Sequence, residues 1–217
     1  PSRSTQVQDG SSAEAVGSSL TAGRHLSIRA TEGNIEAKGA QISAEGDALL
    51  YARDDIRLLA AADSRRQTGS SKRSGFSIDN RDHITPFGTF NDQGQAAGEI
   101  GSISGSTLSV GGKTRLLAEK GNIAVSGSSL VSQDDLLLKA GGDIDIRAAE
   151  HRQSQSERQV SSGIGSAVIS DTEHFSGWMK NRRENEGEET QQAASQIGSL
   201  KGGVRIDAGG AYRQTGS

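Results

Sequence analysis

Three sets of acidic residues have a spacing that could support hydrolytic chemistry: Asp54-Asp55, Asp134-Asp135, and Asp143 with Asp145. Two carboxylates held at a defined separation in a groove can divide general acid and base work, as in enzymes that cut polysaccharides. Asp55 and Asp143, however, each stand directly before a short apolar run in a repeated turn, where Asp accepts local backbone hydrogen bonds. They read as structural punctuation, with a carbohydrate-active enzyme using surface Asp residues as the alternative. His25, His83, His151 and His174 form no HxH or HExxH spacing, and no Cys is present to complete a zinc set. Gly141-Gly142-Asp143 and Gly209-Gly210-Ala211 open no helix and lack the Lys-Ser/Thr that would reach phosphate. No catalytic, cofactor-binding or metal residue is therefore assigned.

The elements that would position these acids are repeats. Leu20–Ala62 returns almost residue for residue at Leu108–Glu150, with Gly33-Asn34-Ile35 recurring as Gly121-Asn122-Ile123 at an offset of 88. Within each copy Leu26, Ile28 and Ala30 recur 22 residues later as Ala48, Leu50 and Ala52, and Ile35 recurs as Ile56 after 21. Apolar and polar residues alternate in each run, as in Ile144-Asp145-Ile146-Arg147-Ala148, which is the period of a strand with one buried face. Glycine-bearing corners separate the runs.

Short half-buried strands at a fixed period of about 22 residues predict an all-β chain, a parallel β-helix whose coils bury an aliphatic column. That column stacks Leu20 with Ile42, Leu26 with Ala48, Ile28 with Leu50, Ala30 with Ala52, and Ile35 with Ile56. A twisted antiparallel meander or sandwich of the same strands has no reason to keep the period through two copies. Acids converging from at least three neighbouring coils would favour the enzyme reading.

Composition narrows the function classes. The chain has 217 residues, 3% of them aromatic, so the core is narrow and aliphatic. With 24 basic against 27 acidic side chains the net charge is −3, which offers no basic field to nucleic acid. No signal peptide and no apolar run long enough to span a bilayer are present. The chain reads as a segment of a longer protein, and its uncapped coil ends make end-to-end self-association of the fragment an expectation.

The expected organisation is a polar lead-in at 1–15, frayed or the end of an upstream excursion, a first pair of coils at 16–62, an excursion at 63–103, a second pair at 104–150, an excursion at 151–196, and the start of a third repeat from 197 to 217. The stretch Gln95–Ile103 returns as Gln192–Leu200 at an offset of 97, so the second excursion is nine residues longer. Excursions tolerate such a change and stacked coils do not. Within them, Arg65–Ser71 is expected to pair with Ser74–Ile78 as a two-strand arm. Ser170 to Lys180 is read as a capped helical turn and Lys180–Thr190 as a solvated loop. The excursions hold every Phe and the single Trp: Phe76, Phe87, Phe90, Phe175 and Trp178. These residue types give interfaces their binding energy, so they form the candidate interaction surface.

Three stretches carry a family likeness: Leu20–Ile28 (LTAGRHLSI), Lys139–Glu150 (KAGGDIDIRAAE) and Ala208–Ser217 (AGGAYRQTGS). They resemble the haemagglutinin repeats of filamentous-haemagglutinin exoproteins, and most narrowly the second repeat region of contact-dependent growth-inhibition proteins. The resemblance covers about residues 16–217. It implies a bacterial two-partner-secretion exoprotein, exported through an outer-membrane secretion barrel and displayed as a long right-handed β-helical filament at the cell surface. It further implies a partner on a target-cell or host surface, as an adhesin or as the carrier of a C-terminal toxin, and it brings no catalytic residues.

Overall fold

The computed structural model describes residues 2–77, 87–170 and 173–216. Among them every regular element is a strand. The chain runs through β1 (Arg3–Ala13), then β2 (Ser19–Ala22), β3 (Leu26–Ala30) and β4 (Ile35–Lys38), then β5 (Gln41–Ala44), β6 (Ala48–Ala52) and β7 (Ile56–Leu59), and departs along β8 (Ala61–Ser77). It returns on β9 (Phe87–Ser104) into β10 (Thr107–Val110), β11 (Thr114–Ala118) and β12 (Ile123–Ser126), followed by β13 (Ser129–Ser132), β14 (Leu136–Ala140) and β15 (Ile144–Arg147). A second departure on β16 (Ala149–Ser170) and return on β17 (Glu173–Ala193) lead to β18 (Gln196–Ser199), β19 (Val204–Ala208) and β20 (Tyr212–Thr215).

Two compact units result. The first to be described comprises Ala13–Asp63, Gly101–Arg152 and Thr190–Ser217. Here five successive rungs each give one strand to each of three parallel sheets, ordered β2-β5-β10-β13-β18, β3-β6-β11-β14-β19 and β4-β7-β12-β15-β20. The register stacks Leu20 on Ile42, Leu26 on Ala48, Ile28 on Leu50, Ala30 on Ala52 and Ile35 on Ile56, as the 22-residue period requires. The second pair of rungs sits directly on the first, Ile42 against Leu108, Leu50 against Leu116 and Ile56 against Ile123. An excursion of any length can leave after β7 without opening a gap in the column.

Burial follows stacking. Leu50, Leu116, Ile123, Leu138 and Ile144 are completely buried, and each contributes about 1.5–3 kcal/mol of transfer free energy. Leu20 and Tyr212, in the first and last of the described rungs, are 42% and 46% exposed, each with one stacked neighbour among the described residues.

Whether the chain turns into the next rung or leaves is decided at one position. Gly39 and Gly127 follow β4 and β12 with φ of +60° and +57°, a left-handed corner closed to most side chains, and the chain steps to the next rung. The corresponding residues after β7 and β15 are Ala60 and Ala148, and there the chain continues outward into β8 and β16. Each return point is then tied back to the departure. The Ser106 hydroxyl donates to the Leu59 carbonyl at 2.7 Å and accepts the Ala40 N–H at 3.1 Å. Ser195 does likewise with the Arg147 carbonyl at 2.6 Å and the Ser128 N–H at 3.3 Å. Both serines are buried. Ser106→Ala should therefore cost about 1–3 kcal/mol, since it strands a buried N–H. Urea unfolding checks this: a loss below about 0.5 kcal/mol would show that the tie carries no weight.

The second unit comprises Pro1–Ser12, Ser64–Ile100 and Gln153–Glu189. It is one sheet of long strands in the order β1-β8-β9-β16-β17. β9 and β16 are antiparallel, from Ser154 opposite Glu99 to Ser166 opposite Phe87. No buried hydrophobic side chain among the described residues belongs to this unit.

Several expectations are corrected here. Arg65–Ser71 and Ser74–Ser77 lie in one strand, β8, whose neighbours are β1 and β9, so they form no arm with each other; Ile78 is outside the described residues. Of the two readings of the lead-in, residues 3–13 follow the excursion one: they are an exposed strand, β1, beside β8 in the sheet of excursion strands. Glu173–Lys180 is strand, not a helical turn, and Asp171 and Thr172 are outside the described residues. Lys180–Thr190 belongs to the same strand and is not a loop. Its charges, Lys180, Arg182 and Arg183 followed by Glu184, Glu186, Glu188 and Glu189, are all exposed.

Candidate functional site

The acidic residues form ladders that run from rung to rung. The N–H of Asp55 donates to Asn34 Oδ1 at 2.8 Å, that of Asn122 to Asp55 Oδ1 at 2.8 Å, that of Asp143 to Asn122 Oδ1 at 2.7 Å, and that of Ala211 to Asp143 Oδ1 at 2.7 Å. The expected local hydrogen bonds of Asp55 and Asp143 are thus corrected: their Oδ1 acceptors serve the next rung, 67 and 68 residues away. The second oxygens face guanidinium groups, Asp55 with Arg57 at 2.6 Å and Asp143 with Arg213 at 3.4 Å, and Asp145 lies 3.8 Å from Arg147. A carboxylate with one oxygen on a backbone donor and the other on Arg is held in a fixed orientation, which suits a corner. Asp54 and Asp134 join their corners through backbone N–H groups donated to Gly33 and Gly112 carbonyls.

A parallel ladder occupies the next corner. The N–H of Asp47 donates to His25 Nδ1 at 3.0 Å, that of Lys113 to Asp47 Oδ1 at 2.8 Å, and that of Gly203 to Asp135 Oδ1 at 3.1 Å. Lys113 Nζ lies 3.1 Å from Asp135 Oδ2. The Gly203 N–H, and after it Lys113, hold the Asp135 carboxyl below the usual carboxylate range. A depressed folded-state pKa adds stability that is present above the unfolded value, near 3.8, and is lost as pH falls through the lower folded value. Asp135→Asn should therefore lower Tm at pH 7, with the gap to wild type closing on acidification below about pH 4. A Tm gap independent of pH from 2 to 7 would contradict this.

His25 serves that ladder and His151 lies in β16, so neither joins the other. His83 and the side chain of His174 are outside the described residues. Among the described residues no group of three His, Cys, Asp or Glu could hold a metal ion.

The aromatic residues divide between the faces of the single sheet. Phe90 of β9 lies opposite Gly163 of β16, and a Cβ at Gly75 of β8 would stand 3.2 Å from its ring. The Arg73 guanidinium covers that ring at 5.6 Å, so Phe90 is half-buried and packs within its own sheet. Phe76, next to Gly75, therefore points to the other face, as does Thr89, next to Phe90. Thr89 pairs in register with Ile164. Arg158 and Glu184 meet at 3.2 Å across β16 and β17, which places the even-numbered residues of both strands on one face, Ile164 and Trp178 included. One face thus carries three apolar residues, from β8, β16 and β17, with Phe76 48%, Ile164 62% and Trp178 61% exposed. Phe87 lies in β9 and Phe175 in β17, and their side chains are outside the described residues. Ile164 was not singled out from sequence; alternation along β16 was the signal that could have found it.

The hemagglutinin-repeat family matches residues 2–102 and, a second time, residues 101–217. The chain belongs to this family. The two matches coincide with the internal duplication, and the repeat's return points are Ser106 and Ser195. Among similar proteins, this hemagglutinin-repeat chain is 29% identical to the toxin CdiA of Yersinia pestis over 199 residues, covering 89% of this chain and 6% of that protein. It is 26% identical over 217 residues to the deoxyribonuclease CdiA of Dickeya dadantii, 95% of this chain and 6% of that protein. It is 27% identical over 169 residues to a hemolysin of Serratia marcescens, 74% of this chain and 10% of that protein. The repeat therefore spans only a small part of these relatives. No solved structure matches.

Proposed function

We propose that the three parallel sheets are the faces of a right-handed parallel β-helix and that the chain is a non-enzymatic segment of a secreted, cell-surface bacterial exoprotein. Its part in the longer protein is to carry a contact-dependent growth-inhibition toxin to a target cell, as an adhesive spacer exported through an outer-membrane secretion barrel. The toxin-carrier reading is supported by likeness to proteins named toxin CdiA over nearly the whole chain. The exposed row of Phe76, Ile164 and Trp178 supports the part assigned to the excursions at 63–103 and 151–196: they meet the target-cell surface, while the coil pairs space them. The ion-paired, backbone-bonded carboxylates count against the carbohydrate-active alternative.

In the full-length protein, Phe76→Ala combined with Trp178→Ala should lower target-cell binding and toxin delivery at least about tenfold, as loss of interface anchors does. Secretion and the circular-dichroism spectrum should be unchanged. Undiminished binding with normal secretion would remove this row from the function.

A further inference from the structure

The middle strand of each rung belongs to the sheet β3-β6-β11-β14-β19. Its inward residues, Leu50, Leu116 and Leu138 among them, make up the buried column, so the alternate residues face outward. In register, Leu49, Arg115 and Leu137 form one outward line along the stack, and Arg29, Tyr51, Leu117 and Lys139 form the line beside it. The four apolar or aromatic members are half-buried and the three cations are exposed. Outer faces are not all like this. In the sheet through β5, β10 and β13 the corresponding lines are Gln41, Thr107, Ser129 and Ser43, Ser109, Val131, with a single apolar residue. The carboxylates close to the apolar patch are already engaged, Asp207 with Arg205 at 2.9 Å and Glu119 with the Tyr51 hydroxyl. Among the described residues Arg29, Arg115 and Lys139 form no ion pair.

We propose that this outer face docks an acidic amphipathic helix of a partner protein, laid along the stack. Parallel sheets ordinarily carry helices on their faces, and leucine on the outer side is what such a helix covers. Successive rungs are about 4.8 Å apart and successive helical turns about 5.4 Å, so one side chain from each turn can meet each rung. Leu49 and Tyr51, then Leu117, then Leu137 occupy three consecutive rungs, a span of about 10 Å that takes an apolar stripe of about two turns. Arg115 lies on one line, and Arg29 and Lys139 lie on the other. Carboxylates on both flanks of the stripe therefore each meet a cation that has no partner in this chain. Two copies of the same face would bring those cations together, so charge selects an acidic partner over a second copy. The role goes beyond that of spacing the excursions and uses none of their residues.

The probe is a fluorescent helical peptide of about 15 residues with Leu along one stripe and Glu on both flanks, titrated with the 217-residue chain and read by anisotropy. Saturable binding is expected. Arg115→Glu with Lys139→Glu should weaken it at least about tenfold, and the same variant should bind the peptide in which Lys replaces Glu. Leu117→Ser should weaken binding of the Glu peptide at least about threefold. All three substitutions are at outward positions, so Tm should move by no more than a few degrees, which separates lost binding from lost folding. Phe76→Ala with Trp178→Ala should leave peptide binding unchanged. Absence of binding, or binding indifferent to the charge reversal, would overturn the proposal. So would binding of phosphatidylglycerol vesicles but not of the peptide, which would assign the face to an anionic lipid surface.

Discussion

Leu50→Asp, or Ile146→Asp, should abolish cooperative folding of the stacked unit. Leu50 is completely buried between Ile28 and Leu116, and Ile146 is stacked on Val125. Losing the packed side chain costs about 2–5 kcal/mol, and a carboxylate left unpaired in the column costs about 3–5 kcal/mol more. The total is comparable with the whole stability of a domain, about 5–15 kcal/mol. Neighbouring residues make the contrast: Ser27→Asp, an exposed site in register with Leu49, should move Tm by no more than a few degrees. A Leu50→Asp protein that stays soluble and melts as wild type would show that the column does not hold the rungs together.

Replacing both excursions by short Gly-Ser linkers should leave the stacked unit folded and remove target-cell binding and toxin delivery by the full-length protein. The structure dictates where to cut. A deletion reaching residue 195 would take out the buried Ser195, which ties the return point to Arg147. The replacement should therefore span 64–100 and 153–189, the bounds of the single-sheet unit. With Ser106 and Ser195 retained, the departure and return points stay close and a short linker closes them at little entropic cost. Normal melting with lost delivery is the expected result. Normal delivery would place the function in the rungs, and lost melting would show that the single sheet is needed for stability.

The rungs were legible in the sequence because each strand has one dry face. Ile28, Leu50, Leu116 and Leu138 had to be apolar, and that requirement writes a period of 2 inside a period of 22. The position that releases the chain was also legible in hindsight, as Gly39 and Gly127 against Ala60 and Ala148. The single sheet was opaque for the opposite reason. Arg65–Arg73 and Lys180–Gln192 are strands with almost every residue exposed, so nothing forces apolar alternation, and their partners are fixed by strands far away in sequence. Glycine and serine at 69–71 and 74–75 suggest a bend, and the dense run of charges at 180–190 suggests a loop. The extended neighbours β9 and β16 decided otherwise. For Asp55 and Asp143, residue type predicted a backbone acceptor but not which backbone, because the donor lies one rung on and an excursion can intervene.

The central claim is that the rungs on either side of an excursion stack as one parallel column. Backbone nuclear Overhauser contacts between β5 and β10 test it most directly, because 61–104 intervenes between them in sequence. Stacking predicts contacts that rise together in number, Gln41 with Thr107, Ile42 with Leu108, Ser43 with Ser109 and Ala44 with Val110. Contacts descending in opposite directions, such as Gln41 with Val110, or no contacts between the two strands, would contradict it.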